Sequence, residues 1–186
     1  VSHLRQFVDG GGVVITLDNS SKMLVDAGVI PGLNSYNASG LFHPGSVVQA
    51  KKKGDSKVTY GYPEVFPIFK GIAPLFQTPK HSRNMMVLQY GTKPLKDDIE
   101  YTGPIMGLPD RKVETPSEDK NEKSGPYVLS GMVRNEQTII GHGSVFNVPV
   151  GKGTAVVFTF DPLHRYLNLS DSPMVWNVLI NWNNLK

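Results

Sequence analysis

The chain has 186 residues, 39% hydrophobic and 19% charged, with a formal net charge of +3. That length suits one domain with a real core, and an excess of 19 Lys+Arg over 16 Asp+Glu falls short of a nucleic-acid footprint. The absence of cysteine removes disulfides, thiolate metal sites and cysteine nucleophiles, and no apolar stretch approaches the roughly 20 residues a membrane helix needs.

Leu4, Phe7 and Val8 follow Ser2 at helical spacing and predict a short helix with Ser2 as its N-cap. Gly10, Gly11 and Gly12 stop it. The unbroken apolar run Val13, Val14, Ile15, Thr16, Leu17 reads as a strand covered on both faces. Asp18, Asn19 and Ser20 offer a turn and a cap for a second helix, whose face is Met23, Leu24 and Ala27. A Gly/Asn/Ser-rich loop over 31–40 leads to a strand at 46–51, and Lys51, Lys52 and Lys53 at its end read as a solvated edge. Pro63 and Pro67 mark the stretch 59–71 as an edge or a bend. "NMMVLQYG" (84–91) alternates like a strand. Residues 93–124 are rich in charge and turn formers of both signs, and read as a mobile surface insertion. "YVLSGMV" (127–133) resumes the domain, and 143–160 holds two β-rich runs around Gly151-Lys152-Gly153, a hairpin with an internal second strand. A closing helix over 171–185, capped by Ser170 or Asp171, would bury Val175, Trp176, Leu179, Ile180 and Trp182.

Motifs for common chemistries are missing. His3, His43, His81, His142 and His164 are scattered, and none has the spacing that sets two metal ligands on one helix. Ser130 and Ser144 lack a G-x-S-x-G frame, and "GKGT" precedes a strand rather than a helix, so it reads as a hairpin and not a phosphate loop. What remains is position. In an open α/β sheet ligands collect beyond the carboxyl ends of the strands. Two strands end in polar clusters there: Asp18 and Asn19 after the first, and Asp161, His164 and Arg165 after the hairpin. These five are the candidate ligand-binding residues. Asp161, His164 and Arg165 could bind a small anion, or Arg165 could pin the loop ahead of the last helix.

The order of "LRQFVDGGGVVITLD", "GLFHPGSVV", "YVLSGMV", "VPVGKGTAVVFTFDPLHR" and "NVLINWN" resembles the C-terminal region of bacterial M14-type zinc carboxypeptidase homologues. There a class I glutamine amidotransferase-like domain follows the peptidase domain. The resemblance spans about two thirds of the chain and leaves out 93–124. It implies a single domain of α/β class, a flavodoxin-like three-layer sandwich with a mostly parallel sheet. At least one strand-helix unit would precede the first helix, so another chain would cover the sheet edge near Val13–Leu17. Active amidotransferases of this class use a Cys-His-Glu triad, and no cysteine or late His-x-Glu pair carries over.

The resemblance therefore implies a non-catalytic accessory domain of a secreted or periplasmic zinc carboxypeptidase-like protein, serving packing, substrate positioning or assembly. It would have no cofactor of its own, zinc being confined to the parent peptidase domain. Its partners would be that peptidase domain or another copy of the chain, without nucleic acid or membrane insertion. Two alternatives stand beside it. One is a small hydrolase or trehalose-utilisation-type domain with its site at the strand ends. The other is a sugar- or peptide-binding module using Tyr60, Tyr62, Phe66 and Phe69.

Overall fold

The computed structural model describes residues 1–95, 125–166 and 169–185. Three α-helices are formed among them: α1 (Ser2–Asp9), α2 (Asn19–Asp26) and α3 (Ser172–Ile180). The strands are β1 (Val13–Leu17), β2 (Asn34–Tyr36), β3 (Ser46–Lys52), β4 (Val65–Lys70), β5 (Leu75–Gln77), β6 (Met86–Tyr90), β7 (Val128–Gly131), β8 (Gly143–Val150) and β9 (Gly153–Phe158). Most of the expected insertion, 96–124, lies outside the described residues.

Seven strands form one mixed sheet in the order β1-β9-β8-β6-β3-β4, with β7 also against β3. β2 and β5 make a separate antiparallel ribbon. The expectation of a mostly parallel sheet is corrected here: only β1 against β9 is parallel, while the other strand pairs are antiparallel. The reason lies in the connections. Parallel neighbours need a long crossover, usually helical. β8 and β9 are instead joined by the tight Gly151-Lys152 turn, and only a one-turn 3-10 segment, Lys57–Thr59, separates β3 from β4.

The hairpin at 143–160 is formed, and β9 is buried at every position between β1 and β8. β1 is not covered on both faces; it ends the sheet and is mostly half-buried. Nor do Lys51 and Lys52 sit on a sheet edge. β3 lies between β4 and β6/β7, with Lys51 Nζ 3.4 Å from Glu64 and Lys52 Nζ donating to the Tyr62 carbonyl. β4, which carries Pro67, is the outer strand, where a missing backbone donor costs no ladder bond.

Alternation along β1 and β9 divides the core between the two sheet faces. Val14, Ala155 and Val157 join Val8 of α1 and Leu24 and Val25 of α2. Ile15, Val156 and Phe158 face the other way, with Leu88, Tyr90 and Ile68, and are covered by Met174, Val175 and Val178 of α3. Helices thus flank both faces.

α3 is shorter than expected and rotated. Trp176 and Ile180, at 59% and 75% exposure, lie outside, as do Leu179 and Trp182, while Met174 and Val178 go in. The helix is apolar nearly all round, so its sequence does not specify a face. Polar anchors decide instead: Asn177 Nδ2 donates to the Val58 and Tyr60 carbonyls, and the Asp171 carboxylate accepts the Phe69 N–H at 2.9 Å. Asp171 holds the N-cap position without a side-chain cap bond, and Ser2 lies inside α1 rather than capping it.

The tightest approach is between the α1–β1 turn and the start of β9. Thr154 N donates to Gly12 O and Lys152 N to Asp9 O. A Cβ on Gly153 would stand 2.1 Å from Gly12 O and 2.3 Å from Val8 O, both backbone atoms. Gly153→Ala is therefore expected to cost about 2–3 kcal/mol through forced displacement of the β1–β9 junction. Urea unfolding of the two proteins checks this, and a loss within error of zero would mean that the junction is loose.

Candidate functional site

Following direction through the registers, β1, β9, β6 and β4 all point their carboxyl ends to one rim of the sheet, and β3 and β8 begin there. Asp18 follows β1, Asp161 and His164 follow β9, Lys70 ends β4, and His43 precedes β3. In a flat sheet β1 and β4 would lie five strand spacings apart, roughly 24 Å. Yet His164, in the loop after β9, stacks on Phe69 of β4 at 4.6 Å. The segment after β9 and the end of β4 therefore meet at this rim, and the Lys70 charge acts on Asp18 there.

Asp18 has φ +52° and ψ −124°, a conformation that costs a non-glycine residue about 1–3 kcal/mol. Its surroundings hold it there. Asp18 N donates to Phe158 O and Phe160 O at 3.1 and 3.2 Å, and Asp18 O accepts Ser21 N. Ser21 Oγ donates to the Phe158 carbonyl and pairs with the Thr16 hydroxyl at 2.9 Å, while Ser20 Oγ exchanges hydrogen bonds with both backbone groups of Leu17. A strand thus turns sharply into α2 through a strained residue, the shape that hydrolases use to hold a nucleophile. Here the residue is a carboxylate. Its Oδ1 is buried and finds no hydrogen-bond partner among the described residues. Burial raises the Asp18 pKa, with Asp161 acting the same way, against the lowering influence of Lys70, the Asn19 N–H and His164.

Lys70 is 1% exposed, and its ammonium donates to the Ala73 carbonyl. Burial lowers its pKa to about 8, partly offset by Asp18. His43 is 7% exposed, with neither ring nitrogen partnered among the described residues. Burial first and the Lys70 charge second hold its pKa down at about 4. Both side chains line a cavity of 320 Å³ walled by Leu41, Phe42, Ile72 and Pro74. Beneath the rim, Tyr90 is fully buried with its hydroxyl 2.7 Å from Thr159 Oγ1, and burial drives its pKa upward.

Of the five residues chosen from sequence, the structure brings Asp18, Asp161 and His164 into one electrostatic group. His164 stacks on Phe69 at 4.6 Å, and its Nδ1 is 3.9 Å from Asp161, whose other oxygen accepts the Leu163 N–H. Asn19 contributes its backbone, its side chain being exposed. Arg165 is exposed at φ +50° and pins no loop through an ion pair among the described residues. His43 and Lys70 were missed. A lysine closing an apolar edge strand carried the one usable signal, since the exposed side of such a strand should not end in a buried cation.

The four aromatic residues weighed as a binding surface do not share one: Tyr60 is exposed, Phe66 is core, and Tyr62 and Phe69 are half-buried. A second cleft of 630 Å³ opens at the opposite rim, beside Lys52, Lys53 and Lys57. Among the described residues no three His, Cys, Asp or Glu side chains gather as a metal site, and no helix is long and apolar enough to cross a membrane. Comparison with family models, curated proteins and solved structures returns no match.

The His43 environment sets a pH dependence. Between pH 6.5 and pH 4 the unfolded chain takes up a proton at this imidazole that the folded chain refuses, so stability falls as pH drops through that window. The whole drop is about 3 kcal/mol. His43→Leu should lose this share of the acid sensitivity, as read by urea unfolding near neutrality and near pH 4. Equal slopes for the two proteins would place His43 in contact with water.

Proposed function

We propose that the chain is a thiol-free, flavodoxin-like domain of the glutamine amidotransferase-like type, serving a zinc carboxypeptidase-like protein as a non-catalytic accessory module. One observation carries this. The strained turn between β1 and α2 presents a carboxylate, Asp18, and the chain contains no cysteine to present instead. A carboxylate attacking an amide would form an anhydride, a product less stable than the amide it replaces, so glutamine hydrolysis is not supported. Helices on both sheet faces agree with a layered sandwich. The outer edge of β1, unpaired among the described residues, is the surface through which the domain would meet the peptidase domain or a second copy. On this reading the parent protein is secreted or periplasmic, and zinc belongs to its peptidase domain.

The test is a carboxypeptidase assay of the parent protein with and without residues 1–186, together with a glutamine hydrolysis assay of the chain. Expected are no release of ammonia and a change in kcat/KM or in assembly when the domain is removed. A parent protein indifferent to the deletion, or glutamine turnover by the chain, would reject the reading.

A second reading rests on the strain itself. Asp18 could act as the nucleophile of a hydrolase, attacking a saturated carbon and displacing its leaving group to give an alkyl ester, which water then cleaves at the Asp18 carbonyl to release the alcohol and restore the carboxylate. Asp161 and His164 would serve as its acid and base. Turnover of an alkyl substrate with a displaceable leaving group in ¹⁸O water would then leave label in the peptide that contains Asp18, and an unlabelled peptide ends this alternative.

Both readings share one consequence. Asp18→Gly relieves the backbone strain and the buried acceptor, so the protein should gain about 1 kcal/mol or more while losing whatever the site does. Thermal unfolding reads the gain. A destabilised variant would mean that the Asp18 side chain is held by contacts that outweigh its strain.

A further inference from the structure

We propose that the cavity between the loop ahead of β3 and the end of β4 binds a small monocarboxylate bearing a short apolar group, with Lys70 and His43 holding its charged end. The inference goes beyond the accessory role and stands without a peptidase partner.

Lys70 is the first ground. An ammonium has three donors, and the Ala73 carbonyl takes one. No carboxylate lies within ion-pair distance among the described residues, since Asp18 acts on Lys70 only at longer range. A cation at 1% exposure with donors to spare is a costly arrangement. A carboxylate in the cavity would accept those donors and supply the missing charge.

His43 is the second and independent ground. At 7% exposure it leaves both ring nitrogens without partners among the described residues. A neutral imidazole donates from one nitrogen and accepts at the other, so it suits a carboxylate oxygen or a neighbouring hydroxyl on the same ligand. Both residues line the same cavity, with the His43 nitrogens enclosed at its wall.

Size and charge narrow the class. The cavity, at 320 Å³, sits at the small end of ligand pockets. Leu41, Phe42, Ile72 and Pro74 supply its apolar walls. Lys70 is the one cation among the lining residues, and the Asp18 charge acts on it. A dianion such as phosphate would meet too few donors and a nearby carboxylate, so a single negative charge on an aliphatic body fits best.

Calorimetry and ligand-observed NMR on the full chain test this with isobutyrate and its neutral isostere isobutyramide. Isobutyrate should saturate a single site at millimolar concentration or below, with the amide at least tenfold weaker. Lys70→Met should weaken isobutyrate at least tenfold. Ile72→Trp, at a rim position 78% exposed and so harmless to the core, should block the cavity while leaving thermal unfolding unchanged. Equal binding of acid and amide, retention of binding in either variant, or no saturation by the wild type would overturn the proposal. Should Lys70→Met fail to fold, the acid–amide comparison and Ile72→Trp still decide it.

Discussion

The parallel ladder between β1 and β9 is the constraint on which the rest depends. Val13 to Leu17 run beside Thr154 to Phe158 in unbroken register. Because the two strands share a direction, their carboxyl ends leave the sheet side by side. Asp18 and Asp161 then occupy one rim. Gly153 seals the other end of the ladder, where α1, β1 and β9 come within backbone distance. An antiparallel neighbour in place of β1 would have sent its first polar turn to the opposite rim.

That ladder also holds the strain at Asp18. Its N–H answers two carbonyls from the segment that continues β9, and Ser21 ties the first turn of α2 to the same strand. The unfavourable dihedrals persist because relaxing them would orphan several buried backbone groups at once. The loop after β9 then reaches across to β4, where His164 stacks on Phe69. The edge strand ends in Lys70, and Asp171 on α3 secures that strand by accepting Phe69 N–H. Two sheet edges, one helix start and one elbow converge.

How much of this could be read beforehand differs by kind of signal. β1, β6, the hairpin and both early helices are legible because their patterns are local: glycine stops, alternation and a tight two-residue turn. Pairing direction is not local, which is why the antiparallel partners of β8, β6 and β3 escape a reading guided by resemblance. Nor is the buried face of α3 legible, since a helix apolar on all sides takes its rotation from Asn177 and Asp171. The site divides the same way. Asp18, Asp161 and His164 follow strand ends and are found by the rule that ligands gather there. Lys70 and His43 join them only through packing between segments distant in the chain, and no spacing in the sequence encodes that packing.

Burial of Lys70 argues most directly that this rim has a purpose. A methionine of similar reach would fill the same apolar corner without desolvating a charge, and replacing buried ionic groups by apolar ones is often neutral or favourable. The nearby imidazole repeats the point, since a leucine would leave no unpaired nitrogens. Adjacent to both, Asp18 adds backbone strain and an unanswered oxygen. Three separate departures from the most stable choice, on three segments far apart in sequence, fall within one electrostatic neighbourhood. Their convergence at the carboxyl ends of the strands is what a binding site requires, because a ligand must find in the protein the polar partners that the protein has withheld from itself.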